Sequence, residues 1–131
     1  MRLQSAVGIR CLCFAGSLGV VSQETEQDKS WKEVIDAITA KHNAKVLTFE
    51  EQPTEVLNDL AELHPRYTCF VVRPAEATRA FVAQVHQLTR KYDDDPYTDT
   101  FWGILTGYNA QNALAIAEHA EPLTVRKVAS G

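Results

Sequence analysis

The 131-residue sequence contains no long run of lysine or arginine, and its formal net charge is −4. Nucleic-acid binding normally needs a clustered basic face to neutralise phosphates, so that class of partner is not expected. Cysteine is scarce: only Cys11, Cys13 and Cys69 occur. An odd number cannot complete a disulfide framework, and one C-x-C pair lacks the two further ligands a zinc site requires. Cys69 lies in an apolar stretch and reads as a small buried hydrophobe. Long hydrophobic runs are missing as well. The run CLCFAGSLGVV, Cys11 to Val21, is too short to span a bilayer, so no membrane partner is expected. Internal repeats and low-complexity linkers are absent, and a hydrophobic fraction of 45% over this length describes one folding domain.

Cofactor and catalytic signatures are equally thin. No G-x-G-x-x-G or G-K-[ST] step follows Gly16 and Gly19, and the first polar loop, SQETEQD, is acidic and repels phosphate. No nucleotide or flavin is therefore expected. His42, His64, His86 and His119 fall at helix ends or on polar faces with no second ligand four residues on, as solvated surface histidines do. No serine, cysteine or lysine stands at a strand end beside a base, so no catalytic dyad or triad is formed from these residues.

Residues 1–17 resemble a secretory signal in their basic start and apolar run, yet Arg10 interrupts the run and no A-x-A step follows. Export and a cytoplasmic location both stay open. From residue 18 to 131 the chain alternates short apolar runs with amphipathic segments, as one α/β domain does. LGVVS from Leu18 is the first strand, and Ser30 with Glu33 forms a capping box for a helix burying Trp31, Val34, Ile35 and Ile38. Ala44–Phe49 is the second strand. Pro53 and Thr54 open a helix with Val56, Leu57, Leu60 and Leu63 on one face. The third strand is Tyr67–Val72, apolar or β-favouring at nearly every position. Pro74 then starts the longest helix, with Ala77, Phe81, Val85, Leu88 and Tyr92 as its stripe. Thr100–Thr106 is a fourth strand, Asn109 caps a helix carrying Ala113, Leu114, Ile116 and Ala117, and Leu123–Ala129 is a fifth strand. The pattern predicts a Rossmann-like or flavodoxin-like α/β three-layer sandwich with a mostly parallel sheet of about five strands.

In such sheets ligands gather in loops leaving the carboxyl ends of strands. The candidates are SQETEQD, EEQPT, RPAEA and the loop Thr106, Gly107, Tyr108, Asn109. At the opposite edge, KYDDDPYTD gathers Asp93, Asp94, Asp95 and Asp99. Carboxylate oxygens at this density suit Ca²⁺, although the spacing matches no EF-hand loop, and turn formation around Pro96 is the competing reading. A last strand with no helix behind it leaves part of one sheet face covered by little more than the first helix. That predicts a homodimer or a longer polypeptide in which a downstream region covers the face.

The segments from Gly19 to Glu50, HPRYTCFVVRP and DDDPYTDTFWGILTGYNAQNALAIAE resemble the opening of bacterial gingipain-like cysteine peptidases of the caspase and clostripain fold. The resemblance implies a Rossmann-like sheet, with a catalytic histidine after one strand and a nucleophilic cysteine after the next, attacking a peptide carbonyl as a thiolate. Neither motif occurs in this chain, and Gly103, Ile104, Leu105 and Thr106 stand where many relatives carry a G-R-[IL]-P step. The resemblance thus implies the non-catalytic front part of such an enzyme, with a downstream catalytic region as partner. The alternative is a stand-alone flavodoxin-like domain that binds a small ligand or a protein.

Overall fold

The computed structural model describes residues 16–122 and 124–129. Expectations placed on residues 1–15, including Cys11, Cys13 and most of the signal-like segment, lie outside the described residues. Four strands, β1 (Ser17–Ser22), β2 (Lys45–Phe49), β3 (Tyr67–Val71) and β4 (Phe101–Leu105), form one sheet in the order β2-β1-β3-β4. Every pairing is parallel. The helices are α1 (Gln23–Gln27), α2 (Lys29–His42), α3 (Leu57–Leu63), α4 (Arg79–Leu88) and α5 (Ala110–Glu118), with a 3₁₀ turn at Pro53–Val56 before α3. This is the expected α/β sandwich with one strand fewer: the described residues 124–129 of the predicted fifth strand are outside any strand, and Val125 and Val128 are exposed. Among the described residues the outer edge of β4 is therefore left unpaired, and the β propensity of the segment goes unused.

Period-2 alternation divides the strands between two cores. Leu18, Val20, Phe70 and Val72 face Val56, Leu60, Phe81, Val85 and Leu88 from the 3₁₀ turn, α3 and α4. Val21, Val71 and Leu105 face Trp31, Val34, Ile35, Ala113 and Ala117 from α2 and α5. Burying a side chain such as Leu60 or Val34, both fully enclosed, is worth about 1.5–3 kcal/mol, so each layer holds the sheet mainly through a few aliphatic contacts.

Helix starts differ from the sequence reading in informative ways. The acidic stretch after β1 is not a plain loop: Ser22 caps the short α1, its side chain accepting from the Thr25 amide at 3.2 Å. Asp28, not Ser30, then caps α2, accepting from Ser30 N at 3.0 Å and Trp31 N at 3.4 Å. A carboxylate accepts more strongly than a hydroxyl and complements the helix dipole, so the cap settles two residues earlier. Pro74 opens a turn rather than a helix; α4 begins at Arg79 behind the Thr78 cap, leaving Ala77 exposed and Tyr92 beyond the helix. The longest helix is therefore the 14-residue α2 and not α4. Asn43 and His64 end α2 and α3 in the left-handed region, at φ 49° and 44°. That conformation is uncommon outside glycine, and asparagine and histidine are among the side chains that adopt it most readily.

Asp28→Ala is expected to lower stability by about 1 kcal/mol, a fall of several degrees in Tm, whereas Ser30→Ala leaves it almost unchanged. Paired thermal melts check both, and equal losses would restore the Ser30 cap.

Candidate functional site

At the carboxyl edge the chain leaving β1 runs to β2 on one side, and the chain leaving β3 runs to β4 on the other. The crevice between them is the topological switch point where open α/β sheets place their ligands. Here it holds a ring of polar side chains from two of the expected loops. Thr25 Oγ1, fully buried, donates to the Glu76 carboxylate and accepts from Ser22 Oγ at 2.9 Å and from Arg73 Nε at 3.0 Å. Glu76 Oε1 also takes the Arg73 amide at 3.1 Å and its Nε at 3.3 Å. Arg73 Nη2 reaches Glu24 Oε2 at 2.6 Å.

Exposure grades across this ring. The Glu76 and Arg73 side chains are 19% and 27% accessible, while that of Glu24 is 79% accessible. Burial by itself would raise the Glu76 pKa; hydrogen bonds from Ser22, Thr25 and both the amide and guanidinium of Arg73 outweigh it and hold the carboxyl below its ordinary range. The Arg73 guanidinium is pushed upward, first by its bond to Glu24, and stays charged at any ordinary pH. The exposed Arg73–Glu24 pair is screened by solvent and contributes little to stability. The Thr25 side of the ring is enclosed and the Glu24 side faces solvent.

Around the ring the edge is strongly acidic. The loops after the first three strands carry Glu24, Glu26, Asp28, Glu50, Glu51, Glu55 and Glu76 against the single Arg73. Glu55 is used locally, accepting the amides of Glu50, Glu51 and Gln52 at 2.9 Å each; those bonds lower its pKa, that of Glu50 most. Gln23 Nε2 lies 3.5 Å from Glu50 Oε1, which sets the second loop beside the first. In the fourth loop, Thr106 Oγ1 is buried without a partner and Tyr108 is almost wholly exposed. Asn109 caps α5 by accepting from Asn112 N at 2.9 Å. A Cβ on Gly107 would stand 2.8 Å from the Ala113 amide nitrogen, so only glycine lets the strand turn this tightly into α5. The structure thus ties the first and third loops together, and no hydrogen bond joins the fourth to the Arg73 ring.

The aspartate candidates lie at the other end of the sheet. Carboxylate oxygens of Asp93, Asp95 and Asp99 come within 4.8 Å of one another, and Asp94 is outside the group. Each member already serves the backbone: Asp93 Oδ1 accepts Asp95 N at 3.0 Å, Asp95 Oδ1 accepts Tyr97 N at 2.8 Å, and Asp99 Oδ2 accepts Tyr92 N at 2.9 Å. Arg90 Nη1 closes the turn on the Pro96 carbonyl at 2.9 Å. These bonds are the work of turn-forming aspartates.

A third feature is a cavity of about 430 Å³ on the α2–α5 face. Its floor includes the cross-strand row Gly19, Cys69 and Gly103, which are register partners. The next row holds Tyr67 and Phe101, 48% and 65% accessible, with ring centroids 5.8 Å apart. α2 and α5 therefore cover the carboxyl half of this face and leave much of its amino half bare. Burial pushes the Cys69 thiol up to about 11 and a hydrogen bond at Leu105 only partly offsets it, so the thiol is protonated and unreactive at neutral pH. His42 lines this cavity and is exposed like the other three histidines, His64 with its ring edge-on to Tyr92 at 5.6 Å. Comparisons with known protein families, with curated proteins and with solved structures find no match. Among the described residues no helix is long and apolar enough to cross a membrane.

The depressed Glu76 pKa has a definite sign in stability. Its contribution is fully present above the ordinary value of 4.5 and is lost as pH falls through the lower folded value. Glu76→Gln should cost about 1–3 kcal/mol at pH 7, and the gap to the parent should close in acid. Urea midpoints at pH 7 and pH 3 read this directly, and a gap independent of pH would refute it. For the aspartates, turn chemistry predicts that millimolar Ca²⁺ leaves Tm unchanged. A rise that Asp99→Asn abolishes would instead make the trio a metal site.

Proposed function

We propose that this chain is the non-catalytic front part of a gingipain-like cysteine peptidase, an α/β unit that docks against a catalytic region instead of cutting peptide bonds itself. The observation that carries the reading is the half-bare sheet face, with the Tyr67–Phe101 pair beside an apolar cavity and β4 as an edge strand. Exposed apolar surface of this kind marks a contact surface more often than idle solvent exposure. The two rings are small against the roughly 800 Å² per partner of a standard interface. A further strand laid beside β4, with its following helix on the same face, would cover rings and edge together. A downstream α/β region supplies that better than a second copy meeting ring to ring.

The chemistry supports the same reading. Cys69 is mid-strand and protonated, not at the carboxyl edge where a thiolate nucleophile would stand. At the switch point, Arg73, Glu76 and Thr25 hold one another, an arrangement for binding or bracing and not for bond cleavage.

The isolated chain is expected to hydrolyse no fluorogenic peptide. It is expected to form a complex with a purified gingipain-like catalytic region lacking its own front part, and Phe101→Glu should weaken that complex at least about tenfold while leaving the circular-dichroism spectrum intact. Hydrolysis that Cys69→Ala removes would overturn the reading. So would the absence of any complex in sedimentation at high concentration.

A further inference from the structure

We propose that the Arg73 ring is a receptor for a small zwitterion of the α-amino-acid type, its carboxylate on the Arg73 guanidinium and its ammonium on Glu24. The site lies on the opposite edge of the sheet from the bare aromatic row, and the inference does not depend on the docking reading.

Geometry comes first. The guanidinium is anchored along its Nε side by Thr25 Oγ1 and Glu76 Oε1, at 3.0 and 3.3 Å. Thr25 is fully buried and Glu76 half-buried, and the Arg73 amide is tied to the same carboxylate. Little freedom remains to be lost when a ligand arrives, which favours binding by a preorganised group. Among the described residues the outer end of the fork meets one group, the Glu24 carboxylate at 2.6 Å on Nη2. Glu24 is solvent-exposed and sits on the five-residue α1, so moving it aside sacrifices an interaction of small net value. A planar carboxylate can then take the two terminal nitrogens together, the geometry in which arginine excels.

Charge selects the ligand class. Arg73 is outnumbered by Glu24 and Glu76 within the ring and by the further carboxylates of the adjoining loops. A plain anion meets net negative charge and is disfavoured, as is phosphate. A plain cation finds carboxylates but nothing to use the guanidinium. An ammonium one carbon from a carboxylate satisfies both: the carboxylate replaces Glu24 on Arg73, and the displaced Glu24 takes the ammonium.

Isothermal titration of the full chain at low ionic strength, with L-alanine and its two half-ligands, tests this. N-acetyl-L-alanine keeps the carboxylate and imitates the carboxyl end of a peptide, and L-alaninamide keeps only the ammonium. L-alanine is expected to bind, and each half-ligand to bind at least about tenfold more weakly. Glu24→Gln, an exposed change whose folding a thermal melt verifies, should move the two carboxylates in opposite directions: L-alanine weakens and N-acetyl-L-alanine tightens, because the competitor for Arg73 has gone. Arg73→Lys should weaken L-alanine about tenfold by losing the paired N–H groups. Absence of L-alanine binding to the parent chain overturns the proposal. So does equal binding by the half-ligands, or a Glu24→Gln variant in which both carboxylates move the same way; tighter N-acetyl-L-alanine than L-alanine in the parent would reassign the ring to peptide ends.

Discussion

Divergence of the chain at the carboxyl ends of β1 and β3 is the constraint on which the molecule turns. Two neighbouring strands send their connections to opposite sides, and the backbone and side-chain groups left between them must find partners without a regular ladder to supply them. Ser22, Thr25, Arg73 and Glu76 supply those partners. Thr25 is the hinge of the arrangement, because one hydroxyl bonds a carboxylate, a guanidinium and a neighbouring serine while wholly enclosed. Leaving any one of these groups unpaired in that setting costs far more than the net worth of a single surface bond. α1 exists because Ser22 and Thr25 are held in place, and α2 follows one residue later from the Asp28 cap.

The sequence makes some of this readable and conceals the rest. Strand/helix alternation locates β1 to β4 and the principal buried faces, because burial periodicity is a local property that survives without tertiary knowledge. Asn109 is legible for the same reason, its bond spanning three residues. Asp28 is misread because two cap candidates lie two residues apart and the choice rests on which acceptor meets the free amides. Pro74 misleads since proline fits a turn as well as a first helical position. The ring at the switch point is hidden by distance along the chain, Arg73 lying 48 residues from Thr25. One signal did point toward it: RPAEA carries the only basic residue in the first three carboxyl-edge loops.

The two faces of the sheet divide the structural work unequally. α3, α4 and the 3₁₀ turn seal one face with a continuous aliphatic and aromatic layer in which Phe70 meets Phe81 and Trp102 edge-on. α2 and α5 seal only half of the other, and Lys41 Nζ fastens their ends by donating to the carbonyls of Ala117 and His119. Gly103 is permissive in a way Gly107 is not, since a Cβ there would meet nothing within 4 Å. No steric need for glycine at Gly103 comes from within the described structure, whereas the turn into α5 imposes one at Gly107.

Cys69 gives that bare face a clock. With the thiol at about 11, roughly one molecule in a thousand carries a thiolate at pH 8, so modification is slow while the sheet is closed. Loosening of α2 would restore ordinary hydration and an ordinary acidity, and the labelling rate would rise by the fraction of time the helix stands away. With Cys11 and Cys13 replaced, the one remaining thiol turns local breathing of a helix layer into a reaction rate that can be followed under native conditions.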